Sequence, residues 1–361
     1  MTSTAKRGGS TTVTDVARVA GVSRATAARA LGGYGSVSAA SAEAVRAAAE
    51  ALGYRVNRVA RSMITGRTRT IGVVLSDIEN DFFVRALRGI SHVARERGYD
   101  VLLANTDEDV DLERDAVEVM RGRRVEGLVV CPADVDDAAH LLAAVDSGAS
   151  LVLLDRTVAG LSVQSVGIDN RQAGYDATKF LLDAGHTRIA ILSGVKPEIM
   201  RRALAHAPDQ PQLGETPAEG RVVGHYRALL EAGVQPDELL QVPAEFHRIA
   251  ASEAVTKLLE SGADPTAILT SDSIQTLGAL HAIRAAGYVM PDDISLLGFD
   301  DSEWAPVVQP PITVIEQPAY EIGTRAAESL INRIEGEAGS PEVILLPTTL
   351  IERGSVVVPR A

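Results

Sequence analysis

From Ile71 onward the chain alternates short continuous apolar runs with helical stretches: IGVVL, DVLLANT, GLVVC, SLVLLDR, SVGID, RIAILSG, AILTSD, ISLLGFDD, ITVI and VILLPTTLI. Strands that are apolar at every position, rather than at every second one, belong in parallel sheets covered by helices on both faces. About ten such runs exceed one compact sheet, so the pattern predicts two α/β lobes. The residues before Ile71 follow a different period. Thr14 can cap a helix with Val16, Ala17 and Ala20 on one face, and Gly21 permits the tight turn that ends it. Ser23 caps a second helix with Ala27, Ala30 and Leu31 turned inward. After the glycine-rich loop 32–35, Ser38 opens a third, with Val45, Ala48, Ala49 and Leu52 at helical spacing and Gly53 at its end. Asn57 then caps a nine-residue stretch ending at Thr65, closed by Gly66. Isolated helices shorter than roughly 12 to 15 residues are marginal in water, so this stretch reads as a linker that is helical only when something docks it.

Composition turns this pattern into a functional expectation. At 361 residues and 46% hydrophobic content the chain can fill more than one core, so two or three domains are expected. The net charge of -13 excludes a protein that coats nucleic acid over its whole surface, but the charge is unevenly spread. Residues 1–70 carry eleven Lys/Arg against Asp15, Glu43 and Glu50, a net +8, which leaves -21 for the rest. A basic helical head on an acidic body presents one end to phosphate and repels it elsewhere. Cys131 is the only cysteine, which rules out an intrachain disulfide and suits a reducing compartment. The start, MTSTAKRGGS, has no apolar core and reads as a polar, disordered tail rather than a signal peptide or anchor. No run reaches the roughly 18 apolar residues of a membrane span. A cytoplasmic protein is expected.

Ligands of open α/β sheets bind beyond the carboxyl ends of the strands. Those ends here carry Asp77, Asn105, Asp155 and Arg156, Ser193, Ser271 and Asp272, and Asp300 and Asp301. A strand must end somewhere polar, but recurrence on most strands points to a polar cleft between lobes. Phe82 and Phe83, two of five phenylalanines, follow the first strand. They read either as core or as flat apolar faces for a sugar ring. No phosphate-binding, dinucleotide-binding or nucleophile-elbow motif is present, and the seven histidines show no metal-ligand spacing. His92, His186 and His281 read as solvated or packed residues, and the acidic run Asp107 to Glu113 as a solvated loop. No enzyme, cofactor or metal site is expected.

The segments TVTDVARVAGVSRATAARAL, SAEAVRAAAEALGYRVN, VARSMITGRTRTIGVVLSDIENDFF, LLDR, GFDD and IEQPAYEIGTRAAE resemble, in order and spacing, the LacI/GalR family of bacterial transcription regulators. The resemblance runs from Thr12 over nearly all of the chain. It implies an all-α helix-turn-helix headpiece (11–56) after a tail (1–10), a hinge helix and linker (57–69), and a two-lobed effector and dimerisation domain of periplasmic-binding-protein type (70–361). The amino-terminal lobe would comprise about 70–167 and 318–346, the carboxyl-terminal lobe about 168–317 and 347–361. For operator DNA it implies base reading by Arg24, Ala25 and Arg29, register set by Thr14, Ser23 and Thr26, and hinge contacts by Asn57, Arg61 and Met63. Met63 stands where the family usually has the Leu wedged into the minor groove, Val56 replaces a usual Pro and Ala28 a common Ser. For the effector it implies Asn80, Phe82, Phe83, Asp155, Arg156, Arg221, Ser271, Asp272, Asp300 and Gln317. Arg201 and Arg202 compete with Arg221 because the 195–220 segment is longer than usual, and His225 stands where an aromatic is common. The set looks most like recognition of a monosaccharide such as ribose. The expected protein is a homodimeric repressor of a near-palindromic operator, with a purine-responsive regulator or a sugar receptor without DNA function as alternatives.

Overall fold

The computed structural model describes residues 11–54, 66–205, 215–337 and 339–360. The chain divides into two compact units at Arg69/Thr70. The nine-residue linker expected from Asn57 to Thr65, with Asn57, Arg61 and Met63, lies outside the described residues, as does the amino-terminal tail.

The described residues of the first unit form three helices, α1 (Val13–Val19), α2 (Arg24–Gly32) and α3 (Ala39–Ala51). Val16, Ala17, Ala27, Val45, Ala48 and Ala49 form its buried core, with Ala30, Leu31 and Leu52 packed partly against it. The α1 cap is Thr12, not Thr14. Thr12 is extended (φ -112°, ψ 163°), its side chain accepts from Asp15 N, and the Asp15 carboxylate takes the Thr12 N–H in return. That reciprocal box needs a carboxylate three residues after the cap, which Thr12 has and Thr14 lacks. Thr14 lies inside the helix and is exposed. Ser23 and Ser38 cap α2 and α3, and Gly21 supplies the left-handed turn between α1 and α2 (φ +66°).

The second unit begins with β1 (Thr70–Leu75), α4 (Asp81–Glu96), β2 (Asp100–Asn105), α5 (Val110–Gly122), β3 (Gly127–Val130), α6 (Ala139–Asp146), β4 (Ser150–Leu154) and β5 (Gln164–Ile168). It continues through α7 (Asn170–Asp183), β6 (Ile189–Ser193), α8 (Pro197–Ala205), α9 (Pro217–Glu231), β7 (Gln241–Pro243), α10 (Arg248–Glu260), β8 (Ala267–Thr270), α11 (Ser273–Ala285) and β9 (Ser295–Phe299). It closes with β10 (Thr313–Glu316), α12 (Ala319–Glu335), β11 (Val343–Leu346) and β12 (Thr349–Ile351). Two six-stranded sheets result, in the orders β11-β5-β4-β3-β1-β2 and β12-β10-β9-β8-β6-β7. All pairs are parallel except β10 with β12. The central strands β1, β3, β4, β6, β8 and β9 are buried almost throughout, as their uninterrupted apolar runs require.

The twelve described strands differ from the ten runs of the sequence in two places. Gln241–Pro243 is an edge strand of three residues, too short to leave a hydrophobic run. The run VILLPTTLI is broken at Pro347-Thr348, and its halves join different sheets: β11 pairs with β5, and β12 with β10. Chain therefore passes between the sheets after β5, after β10 and after β11. The acidic run is not a solvated loop. Asp109 caps α5, while Glu113 is fully buried, accepting from Ala133 N and bonding His140 Nε2 at 2.6 Å.

Helices α7 and α9 pack backbone against backbone. A Cβ at Gly224 would fall 2.0 Å from the Arg171 carbonyl oxygen, and one at Gly174 2.2 Å from that of Arg221. Only glycine allows this approach, and it seats the first turns of α9, with Arg221, beside α7.

Candidate functional site

The carboxyl ends of both sheets open onto one cleft of about 900 Å³. Asp77 follows β1, Asn105 ends β2, Asp155 follows β4, Gly194 follows β6, Ser271 and Asp272 follow β8, Asp300 follows β9 and Gln317 follows β10, and all line it. The volume falls in the range of small-molecule pockets.

Asp155 and Asp300 are both in the left-handed region (φ +65° and +68°). Each donates its backbone N–H to the neighbouring strand, to Val166 and Ile315 at 2.8 and 2.9 Å. The backbone turns sharply there while the ladder continues. Non-glycine residues held this way store strain that the surrounding structure over-determines, a feature concentrated at ligand clamps. Asp272 caps α11, its Oδ1 accepting from Gln275 N at 2.6 Å. Asp300 Oδ1 accepts from Gln317 Nε2 at 2.8 Å.

Arg221 is the cation among these groups. It is buried, donates Nε to Asn170 Oδ1 at 3.0 Å and Nη1 to the Ser271 carbonyl, and lies 4.2 Å above the Phe299 ring. Burial lowers its proton affinity, and the field of Asp300, Asp155 and Asp272 raises it in part. Burial pushes Asp155 and Asp300 above the ordinary carboxylate range against the pull of Arg156 and Arg221, and pushes Asp272 up to about 7. Asp155 Oδ1, Asp272 Oδ2 and Gln317 Oε1 are buried with no hydrogen-bond partner among the described residues.

The Asp272 shift has a stability consequence. The folded state binds this proton more tightly than the unfolded chain, whose carboxyl titrates at about 3.8, so its stabilisation is complete at low pH and lost as pH rises through about 7. At about 1.4 kcal/mol per unit, raising pH from 5 to 8 removes about 3 kcal/mol through this group. Asp272→Asn, which keeps a capping oxygen, is expected to lose correspondingly less stability over that interval in parallel thermal melts. Equal pH dependence of the two proteins contradicts this.

The remaining expected effector residues take more varied positions. Asn80 caps α4 through its Oδ1, which accepts from Phe82 N at 2.9 Å, and lines the cleft. Phe82 and Phe83 touch the cleft, but they are 4% and 5% exposed and pack edge to face in the main core, so they are core residues that border the cleft. Arg156 lines the cleft with Nη1 and Nη2 taken by Glu108, through two 2.6 Å bonds, and Nη1 also by the Pro132 carbonyl, while its buried Nε has no partner among the described residues. Of the competing arginines, Arg201 is exposed beside Glu198, whereas Arg221 lines the cleft. His225 is buried against Thr178, and burial pushes it down to about 3, so it is neutral. Sequence reasoning missed Asn170 and Phe246. Asn170 follows the strand-ending Asp169, so the polar-strand-end rule could have found it. Phe246 lines the cleft, 40% exposed, with its ring over Gly194, and its signal was rarity alone in a chain with five phenylalanines.

In the helical unit, Ser23, Arg24 and Ala25 are exposed at the start of α2, and Thr26 and Arg29 are half-buried. Ser23 Oγ accepts from Thr26 N at 3.1 Å and shares a hydrogen bond with the Thr26 hydroxyl, while Arg29 Nε rests on the Ala25 carbonyl at 3.3 Å. No described helix is long and apolar enough to cross a membrane, and no described group of residues could hold a metal ion.

Residues 12–57 match the model of bacterial regulatory proteins of the lacI family, and residues 178–356 that of a periplasmic binding protein-like domain. Catabolite control protein A of Priestia megaterium is 32% identical over 336 residues, 93% of this chain and 96% of its own. The chain belongs to the LacI family. This LacI-family protein is also 30% identical over 349 residues to the HTH-type transcriptional repressor PurR of Aliivibrio salmonicida (strain LFI1238), covering 96% of this chain and 98% of the relative. The solved lac repressor dimer bound to operator and the anti-inducer ONPF superimposes with a TM-score of 0.81 at 26% identity, over 97% of this chain and all of the other. The family resemblance and the α/β two-lobed fold with a helix-turn-helix headpiece expected from the sequence are confirmed, and the LacI-family chain is a DNA-binding transcription regulator.

Proposed function

We propose that the protein is a homodimeric, cytoplasmic repressor of a near-palindromic operator, whose grip on DNA is set by a hydroxylated ring such as a monosaccharide bound in the cleft. The observation that carries the effector reading is the set of buried acceptors, Asp155 Oδ1, Asp272 Oδ2 and Gln317 Oε1, beside the donor-rich Arg221. A ring bearing several O–H groups satisfies convergent acceptors from more than one side, whereas a purine offers few donors and asks for stacking faces. Phe82 and Phe83 are too buried to offer their faces, leaving Phe246 as the one well-exposed phenylalanine at the cleft. A ribose-like sugar therefore fits better than a nucleobase.

A two-fold dimer presents two copies of α2 to symmetry-related half-sites, with Arg24 and Arg29 bonding base edges, Ala25 against a thymine methyl, and Ser23, Thr26 and Thr14 setting register. Asn57, Arg61 and Met63 complete the DNA contacts in this reading. By linkage, an effector that changes operator affinity by some factor has its own affinity changed by operator through the same factor.

The test is fluorescence anisotropy of the full chain on the promoter fragment of its own gene, with and without sugars identified by thermal shift. Sequence-specific, salt-dependent binding is expected, changed at least fivefold by the sugar. Arg29→Ala is expected to relax base preference at one operator position at a cost of about 1 to 3 kcal/mol. Uniform weakening on every sequence assigns Arg29 to phosphate, and indifference of all promoter fragments to every sugar overturns the proposal.

A further inference from the structure

The charges lining the cleft do not balance. Asp77, Glu79, Asp107, Glu108, Asp155, Glu219, Asp272 and Asp300 face it, against Arg156, Lys196, Arg221 and Arg248. Arg156 is committed to Glu108, and Glu219 closes the helix cap at Thr216 N. Lys196 and Arg248 come from the loop before α8 and the first turn of α10, across the cleft from the acidic loop residues after β1 and β2. In the buried part Asp155, Asp272 and Asp300 all feel Arg221, and Arg156, committed to Glu108, also acts on Asp155 as Arg85 does on Asp300. Two of the Arg221 donors are already directed to Asn170 and the Ser271 carbonyl. Asp272 and Gln317 are more than nine-tenths buried, line the cleft and each keep an oxygen without a partner among the described residues, as does Asp155.

These three unfilled oxygens are acceptors, against one cleft-lining donor, Arg156 Nε, that also lacks a partner among the described residues, and the acids facing the cleft outnumber its cations. A neutral hydroxyl brings one donor and two lone pairs, whereas an ammonium brings three donors, no lone pair and the missing charge. Hydrogen bonds between ions are about twice as strong as neutral ones, and strongest where water is excluded. We propose that the effector is a hydroxylated ring carrying a protonated amine, an amino sugar or aminated polyol, with its ammonium held by this carboxylate set. The inference rests on the hydroxylated-ring reading and narrows it. The same imbalance turns away sugar phosphates and sugar acids, whose anion would meet the carboxylates. Burial raises the proton affinity of all three carboxyls, and the neighbouring arginines offset it only in part.

The test is isothermal titration calorimetry of the full chain at pH 7. The probes are glucosamine, galactosamine, mannosamine and 2-amino-2-deoxyribose, each with its neutral parent and its N-acetyl derivative, the hexose 6-phosphates, and hypoxanthine and guanine. At least one amino sugar is expected to bind ten or more times tighter than its neutral parent and its N-acetyl form, with the phosphates weakest. Asp272→Asn, which keeps an oxygen to cap α11, is expected to cut the amino-to-neutral ratio at least fivefold. Asp155→Asn provides the same measurement at a left-handed position that Asn tolerates, should the first variant not fold. A neutral parent that binds as tightly as its amino form, or a ratio unmoved by either substitution, overturns this inference and leaves the sugar reading standing. Binding of purines alone, or of no hydroxylated ring, overturns both.

Discussion

Arg221→Met is expected to weaken effector binding at least a hundredfold and to lower stability by about 3 to 5 kcal/mol, the cost of removing one partner from a buried charge cluster. Methionine fills most of the volume and can still lie against Phe299, so the loss reports the guanidinium rather than a cavity. Without it, Asn170 Oδ1 and the Ser271 carbonyl lose their donors, and three buried carboxyls lose the cation that each of them feels. The carboxyls respond by holding protons to higher pH, so the stability deficit of the variant is expected to be smaller at pH 5 than at pH 8. Urea denaturation at the two pH values measures this, and calorimetric titration measures the affinity. A variant as stable as the parent at pH 8 would show that Asp155, Asp272 and Asp300 do not depend on Arg221 for their charge.

Gly224→Ala is expected to cost about 3 kcal/mol or more although it adds a single methyl group, at the upper end of what overpacking costs. The added carbon would lie 2.0 Å from the Arg171 carbonyl oxygen and 2.6 Å from Tyr175 N, both backbone atoms that no rotamer change can move aside. Helices α7 and α9 must therefore separate, which disturbs the half-buried Arg171 to Glu215 ion pair and shifts Arg221, three residues earlier on the same face of α9. Stability and effector affinity are expected to fall together, with a melting-temperature loss of at least about 6 °C at roughly 2 to 4 °C per kcal/mol. Gly122→Ala, near the end of α5 with nothing within 4 Å of the added carbon, is the control and is expected to be neutral or slightly stabilising. A small effect at Gly224 would mean that the two helices can part without cost.

The readable parts of this molecule are those governed by local physics. Apolar runs such as Ile189–Ser193 and Ser295–Phe299 are buried on both sides of a sheet, so every position had to be apolar and the run announced the strand. Ser23 and Ser38 were legible as caps because the bond they make is to a backbone N–H three residues on. The same rule misplaced the α1 cap by two residues, because Thr12 and Thr14 both precede an apolar stretch and only the answering carboxylate of Asp15 separates them. Gln241–Pro243 left no signal, since an edge strand of three residues needs no hydrophobic run.

Side chains that meet across the chain were legible only as types. Asp155, Asp272 and Asp300 could be marked as polar strand ends, yet nothing local said that they share one arginine, or that Arg156 is claimed by Glu108 across 48 residues of chain. Phe82 and Phe83 left two readings open because the orientation of an aromatic beside a cleft is set by what packs behind it.

The sequence by itself determined the basic helical head, the acidic α/β body and the family, because charge distribution, hydrophobic period and capping residues act over a few neighbours and are written in order along the chain. The tertiary structure alone decided which carboxylates keep an unfilled oxygen, which arginine stays among them, and that Gly174 and Gly224 let two helices touch. Those outcomes depend on distances between residues far apart in sequence, and a few ångströms separate a paired charge from one left for a ligand.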